Sequence, residues 1–198
     1  MTQNENAYDV AIVGGGPAGA SAATFTARAG LKTVMIDADA GMTRRAMVNN
    51  HLGFPGGVSG PDLVDSGKAQ AAQAGAQVVD GKVVGVQRQG DAGFALQTED
   101  GQSYAARQVI LTLGANPELA KQAGLTVKPG TEPRIKEIID VDAEGRTSQP
   151  GIWAAGTAAG VSVHTIITAG DGARVAINLI SANKGERHVD HDVLPRPA

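Results

Sequence analysis

Three glycines and one acid carry the clearest chemistry in this chain. Gly14-x-Gly16-x-x-Gly19 follows the apolar run Val10-Ala11-Ile12-Val13, and Asp37 closes a second apolar run, Val34-Met35-Ile36, 18 residues beyond Gly19. Strand, glycine turn, helix, strand and terminal acid at this spacing form the dinucleotide-binding fingerprint. Gly14 allows a tight turn off the strand, Gly16 removes the Cβ that would bar a pyrophosphate from the backbone, and Gly19 lets the helix lie close to the strand. Pro17 suits the first helical position, and the free amides around Pro17 and Ala18, with the helix dipole, favour an anion. Asp37 can accept hydrogen bonds from the hydroxyls of a ribose. FAD and NAD both present an adenosine ribose and a pyrophosphate, so the fingerprint alone leaves the choice open.

These residues need elements to hold them. The pattern predicts a strand over 8–13, a helix over 17–29 with Gly30 at its end, and a strand over 33–37. Residues 38–60 read as a long, glycine-rich loop, of a kind that usually contacts something. Arg44, Arg45 and Asn50 within it are expected to line a cofactor trough. A helix is expected from Pro61 to Gly75. Short β runs between 78 and 105, at Val83–Val86, Phe94–Leu96 and Ser103-Tyr104, are separated by turn signals and predict a small antiparallel meander. Val109–Leu113 reads as a buried central strand of a parallel sheet ending at Gly114. Residues 115–149 are broken by prolines, with a helical turn or two over 117–123 and a strand over 135–141. Gly151–Gly156 reads as a strand, followed by a helix starting between Ser162 and Thr165. Its Ile166, Ala169, Ala173, Ile177 and Ile180 predict one buried face, and Gly185 stops it.

Composition narrows the function. The chain of 198 residues is 42% apolar and 19% charged with 27 glycines, which suits a soluble α/β protein. Aromatic residues make up 3% and the formal charge is −3, so stacking platforms and phosphate-backbone attraction are not expected, and neither is a nucleic-acid partner. No stretch has the length and apolarity of a membrane span or signal peptide, and the expected location is cytoplasmic. The cysteine count is zero, which excludes disulfide exchange and thiolate metal sites. His188-Val-Asp190-His191-Asp192 reads as a solvated tail, and no metal is expected.

Four segments in sequence carry a resemblance to one family. GGGPAGASAA with Asp37, NHLGFPGGVSGPDLV at 50–64, VILTLGA at 109–115, and RTSQPGIWAAG at 146–156 with the helix after it resemble the FAD-binding half of thioredoxin reductase-like (pyridine nucleotide-disulfide oxidoreductase) flavoproteins. The resemblance implies an α/β fold with a single Rossmann-like FAD-binding domain over 1–198, a parallel sheet flanked by helices with the small antiparallel β-meander, and flexible tails at 1–6 and 186–198. It implies FAD contacts at Gly14, Gly16, Pro17, Ala18, Gly19, Asp37, Asn50, Thr112, Gly114, Gly156 and Thr157, with Val84 as a backbone contact to adenine. The last helix would aim its positive end at the flavin edge where charge gathers on reduction.

Departures from the family pattern are equally specific. The family inserts a second, NADPH-binding domain between the last two of these segments, where this chain has only about 30 residues without a glycine fingerprint. The redox cysteine pair is absent, Thr157 replaces the acid of the AGD signature, and His164-Thr165 replaces an arginine-glutamine pair. The expected function is an FAD oxidoreductase without dithiol chemistry, fed by an external electron donor, NAD(P)H or a reductase, and serving an unidentified acceptor. No catalytic residue is assigned, and His164 is the one candidate for proton transfer or a hydrogen bond to the flavin. The alternatives are a non-catalytic flavin-binding or partner subunit, with a possible homo-oligomer, and an NAD-binding protein.

Overall fold

The computed structural model describes residues 7–194. Its first half contains β1 (Tyr8–Val13), α1 (Pro17–Arg28), β2 (Thr33–Asp37), β3 (Met47–Val48), β4 (Val58–Ser59), α2 (Gly60–Gln73), β5 (Gln77–Asp80) and β6 (Val83–Arg88). The second half contains β7 (Phe94–Thr98), β8 (Ser103–Leu111), α3 (Glu118–Gln122), β9 (Val127–Pro129), β10 (Glu137–Ile139), β11 (Ile152–Ala154) and α4 (Thr165–Lys184).

Strand β1 lies between β2 and β8, parallel to both, and β5 continues the parallel sheet beyond β2. Residues alternate along β1 as a strand buried on both faces requires. Val10 and Ile12 join Ala20, Ala22 and Ala23 of α1, Ala71 of α2 and Val175, Ala176 and Leu179 of α4. Ala11 and Val13 face the other way, into a core with Val34, Ile36, Val86, Phe94 and Leu96. The antiparallel arm β7–β6 therefore folds back over the sheet. Its return is fixed where Gly81 N–H donates to Asp37 O at 2.9 Å, which brings Val83 and Val84 beside the end of β2. This fold-back makes one end of the parallel sheet a cleft rather than an open edge.

The predicted α/β architecture with a parallel sheet, flanking helices and antiparallel meander is present, with three differences of detail. Ser103-Tyr104 and the run from Val109 form one strand, β8, because it changes partners midway: its start pairs with β7, and Val109–Leu111 pair with β11. Gln77–Asp80 is a parallel edge strand on β2, not the start of the meander. Helix α4 is rotated from the predicted face: Ile166 is exposed, and the buried residues include Thr168, Gly172, Val175, Ala176, Leu179 and Ile180. Its contact with α1 decides the rotation, since a Cβ on Gly172 would stand 2.0 Å from Ala18 O, and only a glycine there allows that approach.

The tail after Gly185 is docked as far as Asp192. Arg28 of α1 holds Asp190 through Nε and Nη2 at 2.8 Å each and Asp192 at 2.7 Å, and His188 N–H donates to Ser181 Oγ at 3.0 Å. Among the described residues, no cluster of histidines, aspartates and glutamates could hold a metal. The expected tail at 1–6, and residues 195–198 of the other, lie outside the described residues.

Candidate functional site

At the C-terminal ends of β1, β2 and β8, where crossover loops leave a crevice in sheets of this kind, lies a cavity of about 1180 Å³. Its wall includes Gly14 to Gly19, Asp37, Val84, Thr112, Gly114, Gly156, Thr157, His164 and Thr165. Typical small-ligand clefts hold about 300–1,000 Å³, so the space suits an extended ligand such as a dinucleotide.

The glycine turn separates three jobs. Gly14 has φ +105°, and a Cβ there would lie 2.5 Å from Thr112 O; a Cβ on Gly19 would lie 1.8 Å from Gly14 O. Both are packing requirements. Above Gly16, nothing lies within 4 Å, so its missing Cβ leaves open space against the backbone at the start of α1. Helix α1 has no side-chain cap, and its first amides are therefore available to an anion. An open backbone cradle facing free amides fits a nucleotide diphosphate.

Thr112 lines the cavity, but its hydroxyl donates to Val13 O or Gly14 O, each 2.9 Å away, and so braces the turn. Gly114 turns with φ +62° and open space over it. Val84 sits at a register shift between Val83 and Gly85, which puts an irregular strand segment on the wall.

Asp37 is 8% exposed at the end of β2, and its Oδ2 lies 2.7 Å from Lys68 Nζ of α2. Sequence reading missed Lys68, since α2 shows only a surface-like lysine there. Arg44 turns away from the trough expected of it: it donates to Asp39 Oδ1 at 2.8 Å and pairs with Asp65 Oδ1 at 2.7 Å. Asp65 and Asp39 hold the Arg44 guanidinium above its ordinary value, while burial opposes them. Arg45 and Asn50 also lie outside the cavity wall, so the structure does not bring these three to the other site residues.

The opposite end is built from the last third of the chain. Gly156, with φ +74°, packs so closely that a Cβ would lie 2.8 Å from Ala18 Cβ. Its N–H donates to Asp171 Oδ2 at 2.7 Å, and Asp171 Oδ1 accepts from Arg174 Nε at 2.9 Å. Asp171 is buried, and it is the acid that sequence reading overlooked. Its signal was a lone acid flanked by Gly170 and Gly172 in an otherwise apolar and small helical stretch. Thr157 is buried on the wall beside it.

His164 is the N-cap residue of α4 and makes no capping hydrogen bond with its side chain; its Nδ1 lies 2.8 Å from Ser162 Oγ. Thr165 Oγ1 lies 2.9 Å from His51 Nδ1, which ties the 38–60 loop to the start of α4. Burial pushes His51 below the ordinary imidazole value. Glu132, on the turn between β9 and β10, accepts from Ser162 Oγ at 3.1 Å. The same turn puts Arg134 on the wall at φ +67°.

The sequence profile of the family described as pyridine nucleotide-disulphide oxidoreductase matches residues 58–173, more than half of the chain. The chain belongs to this family. A profile for an FAD-binding domain matches residues 7–51, and FAD is the cofactor indicated for this oxidoreductase family member. The choice that the glycine fingerprint left open is thereby decided for FAD. Thioredoxin reductase of Aquifex aeolicus is 36% identical over 127 residues, 63% of this chain and 39% of the relative. That of Listeria monocytogenes is 37% identical over 135 residues, with the same two shares, 63% and 39%. The chain thus spans about two fifths of the length of these curated relatives. A solved thioredoxin reductase from Gloeobacter violaceus superposes with a TM-score of 0.78 at 19% identity, covering 96% of this chain and 100% of that one. The atypical thioredoxin reductase from Desulfovibrio vulgaris Hildenborough gives 0.70 at 20% identity, covering 89% and 98%. At these identities the two structures speak for the fold.

Proposed function

We propose that this oxidoreductase family member is a flavin-binding unit that moves electrons from an external donor, NAD(P)H or a reductase, to a small acceptor without dithiol chemistry of its own. The observation that carries the reading is the convergence on one cavity of the Gly16 cradle, Asp37, Gly114, the Gly156 turn and the start of α4. The glycine turn and α1 take the diphosphate, Asp37 takes the adenosine ribose, and Val84 borders the adenine. Gly156, Thr157 and the first residues of α4 take the ribityl chain and the flavin.

Bound FAD supplies the redox chemistry, accepting a hydride and returning its electrons. The chain's part is to bind and orient. Asp171 fixes the Gly156 amide, and the N-terminus of α4 favours negative charge near His164. The His164 imidazole, paired with Ser162, is placed to hold or pass a proton at the cavity wall. Arg134 lines the wall with no ion-pair partner among the described residues, and suits an anionic donor or acceptor.

A second reading, a flavin-binding partner subunit or homo-oligomer, is favoured by exposed apolar side chains around the His51–Thr165 contact. Leu52 is 86% exposed and Ile167 46%, with Phe54 and Ile166 beside them. A partner would cover such a patch.

Purified protein separates the readings. On the oxidoreductase reading it is yellow, and anaerobic NADH or NADPH bleaches it at about 1 s⁻¹ or faster, the lower range of ordinary turnover. Yellow protein bleached by neither nucleotide nor a reductase supports the partner-subunit reading. Protein that takes up no FAD overturns the cofactor site.

A further inference from the structure

The acid proposed to take the ribose is not free. Lys68 Nζ lies 2.7 Å from Asp37 Oδ2 and 3.1 Å from Asp39 Oδ1, and the Lys68 and Asp37 side chains are 14% and 11% exposed. On its other side Asp37 rests against the glycine turn, since a Cβ on Gly15 would stand 2.7 Å from both its Cγ and Oδ2. Gly15, outside the fingerprint's three glycines, is therefore needed for the acid to lie there. The carboxylate is held between the Gly15 backbone and one ammonium. Lys68 occupies Oδ2 and leaves Oδ1 without a hydrogen-bond donor among the described residues, while Asp37 itself lines the cavity. Lys68 is absent from the cavity wall, so any effect on a ligand must pass through Asp37.

We propose that Lys68 is a positioning residue for the cofactor: it holds the Asp37 carboxylate in the orientation that presents Oδ1 to the hydroxyls of the adenosine ribose. This rests on the reading of Asp37 as the ribose acceptor. The physical reason for a cation is that two carboxylates, Asp37 and Asp39, converge on the same point, with a third, the exposed Asp80, 3.8 Å from Lys68 Nζ. Without the ammonium between them they repel, and Asp37 rotates toward solvent. Burial opposes the Lys68 charge, but the hydrogen bonds to Asp37 and Asp39 outweigh it and raise its pKa. Arg44 anchors Asp39 from its other side, donating to Asp39 Oδ1 at 2.8 Å.

The experiment measures FAD affinity of the full-length apoprotein by flavin fluorescence quenching, together with its melting temperature. Lys68→Met is expected to weaken FAD about tenfold, the lower end of the cost of losing a residue that orients a ligand group. Lys68→Arg restores most of the affinity. In an Asp37→Asn background, Lys68→Met has no further effect, because the group it orients is gone. A purely structural lysine would lower the melting temperature and would weaken FAD equally in both backgrounds; that result overturns the inference. So does FAD affinity within twofold of wild type in Lys68→Met. If Asp37→Asn alone leaves FAD binding unchanged, the ribose reading fails, and the inference falls with it. A Lys68→Met effect that vanishes in Asp37→Asn is the outcome that upholds both.

Discussion

Alanine at Gly16 and alanine at Gly19 are the same change three residues apart, and the structure assigns them opposite consequences. At Gly19 the new Cβ would stand 1.8 Å from Gly14 O, where real Cβ atoms keep at least 3.0 Å, so α1 must withdraw from the sheet by about 1.2 Å. Overpacking of this kind costs about 1–3 kcal/mol. The Cβ also lies 2.8 Å from Thr112 Oγ1, whose one hydrogen bond, to Val13 O or Gly14 O, is worth about 1 kcal/mol. Together these put the loss at about 2–4 kcal/mol, from a total of about 5–15 for a typical domain. For a chain of this size that lowers the apoprotein melting temperature by about 4–16 °C. At Gly16 the backbone is extended with φ −67°, which alanine adopts freely, and nothing lies within 4 Å. Alanine there loses a good N-cap residue but restricts the unfolded chain, so the apoprotein stays within about 1 kcal/mol of wild type. Its Cβ instead fills the cradle and displaces a diphosphate from at least one amide. A hydrogen bond to a charged group is worth about 1.5–3 kcal/mol, so FAD should bind about 10- to 100-fold more weakly. Differential scanning fluorimetry of the apoproteins and FAD titration read both effects. Wild-type FAD affinity in Gly16→Ala, or a Gly19→Ala apoprotein melting within 2 °C of wild type by the scale of about 2–4 °C per kcal/mol, would refute the division of labour.

Asp171→Ala removes the acceptor of the Gly156 amide and the carboxylate partner of Arg174, whose guanidinium keeps its hydrogen bond to Ala143 O. The expected cost is about 1–3 kcal/mol, set by the buried Gly156 donor left without its acceptor; an apoprotein melt within the error of wild type would show that Asp171 does not brace this turn. Asp190, held below the ordinary carboxylate range by hydrogen bonds from Arg28, anchors the tail to α1. Its depressed value means that the contact's stabilisation is fully present above the unfolded pKa of about 3.9 and is lost as pH falls through the lower folded value. Protection from hydrogen exchange at residues 188–192, relative to the unfolded rate at the same pH, should therefore fall in acid, and Asp190→Asn should lower it already at pH 7. Equal protection in both proteins at neutral pH would sink this account.

The fingerprint was legible because its demands are local: positive φ at Gly14, open space over Gly16 and close packing at Gly19 are properties of a few consecutive residues. The start and stop of α4 were readable for the same reason, with Gly185 in the left-handed region at its end. What failed depends on a neighbour. Isoleucines at 166, 177 and 180 suggest one stripe on α4, but the contact of Gly172 with Ala18 turns the helix so that Ile166 faces out. Lys68 looks like any surface lysine until α2 is laid against the end of β2. Arg44 and Arg45 were expected at the trough from their closeness in sequence to Asp37, yet acids on β2's extension and α2 claim Arg44 first. The continuity of β8 was hidden by the polar pair Arg107-Gln108, where Gln108 instead accepts from Trp153 Nε1 at 3.0 Å.

The internal segment between Leu113 and Arg146 bears most directly on where a donor must come from. It is not a slack connection. Ala120, Leu125 and Ile139 are buried in the core on the meander side of the sheet, and β9 pairs with β10 in antiparallel register. The turn joining them is drawn back onto the chain before α4: Glu132 accepts from Ser162, and a Cβ on Gly130 would stand 2.4 Å from Ile135 O, so the reversal is tight. These apolar residues pack within the described fold. The segment thus closes on itself while leaving Glu132, Pro133, Arg134 and Ile135 as part of the cavity wall. On the proposed reading, a reductant approaching the flavin past this wall meets a short turn carrying Arg134, which has no ion-pair partner among the described residues and suits an anionic donor.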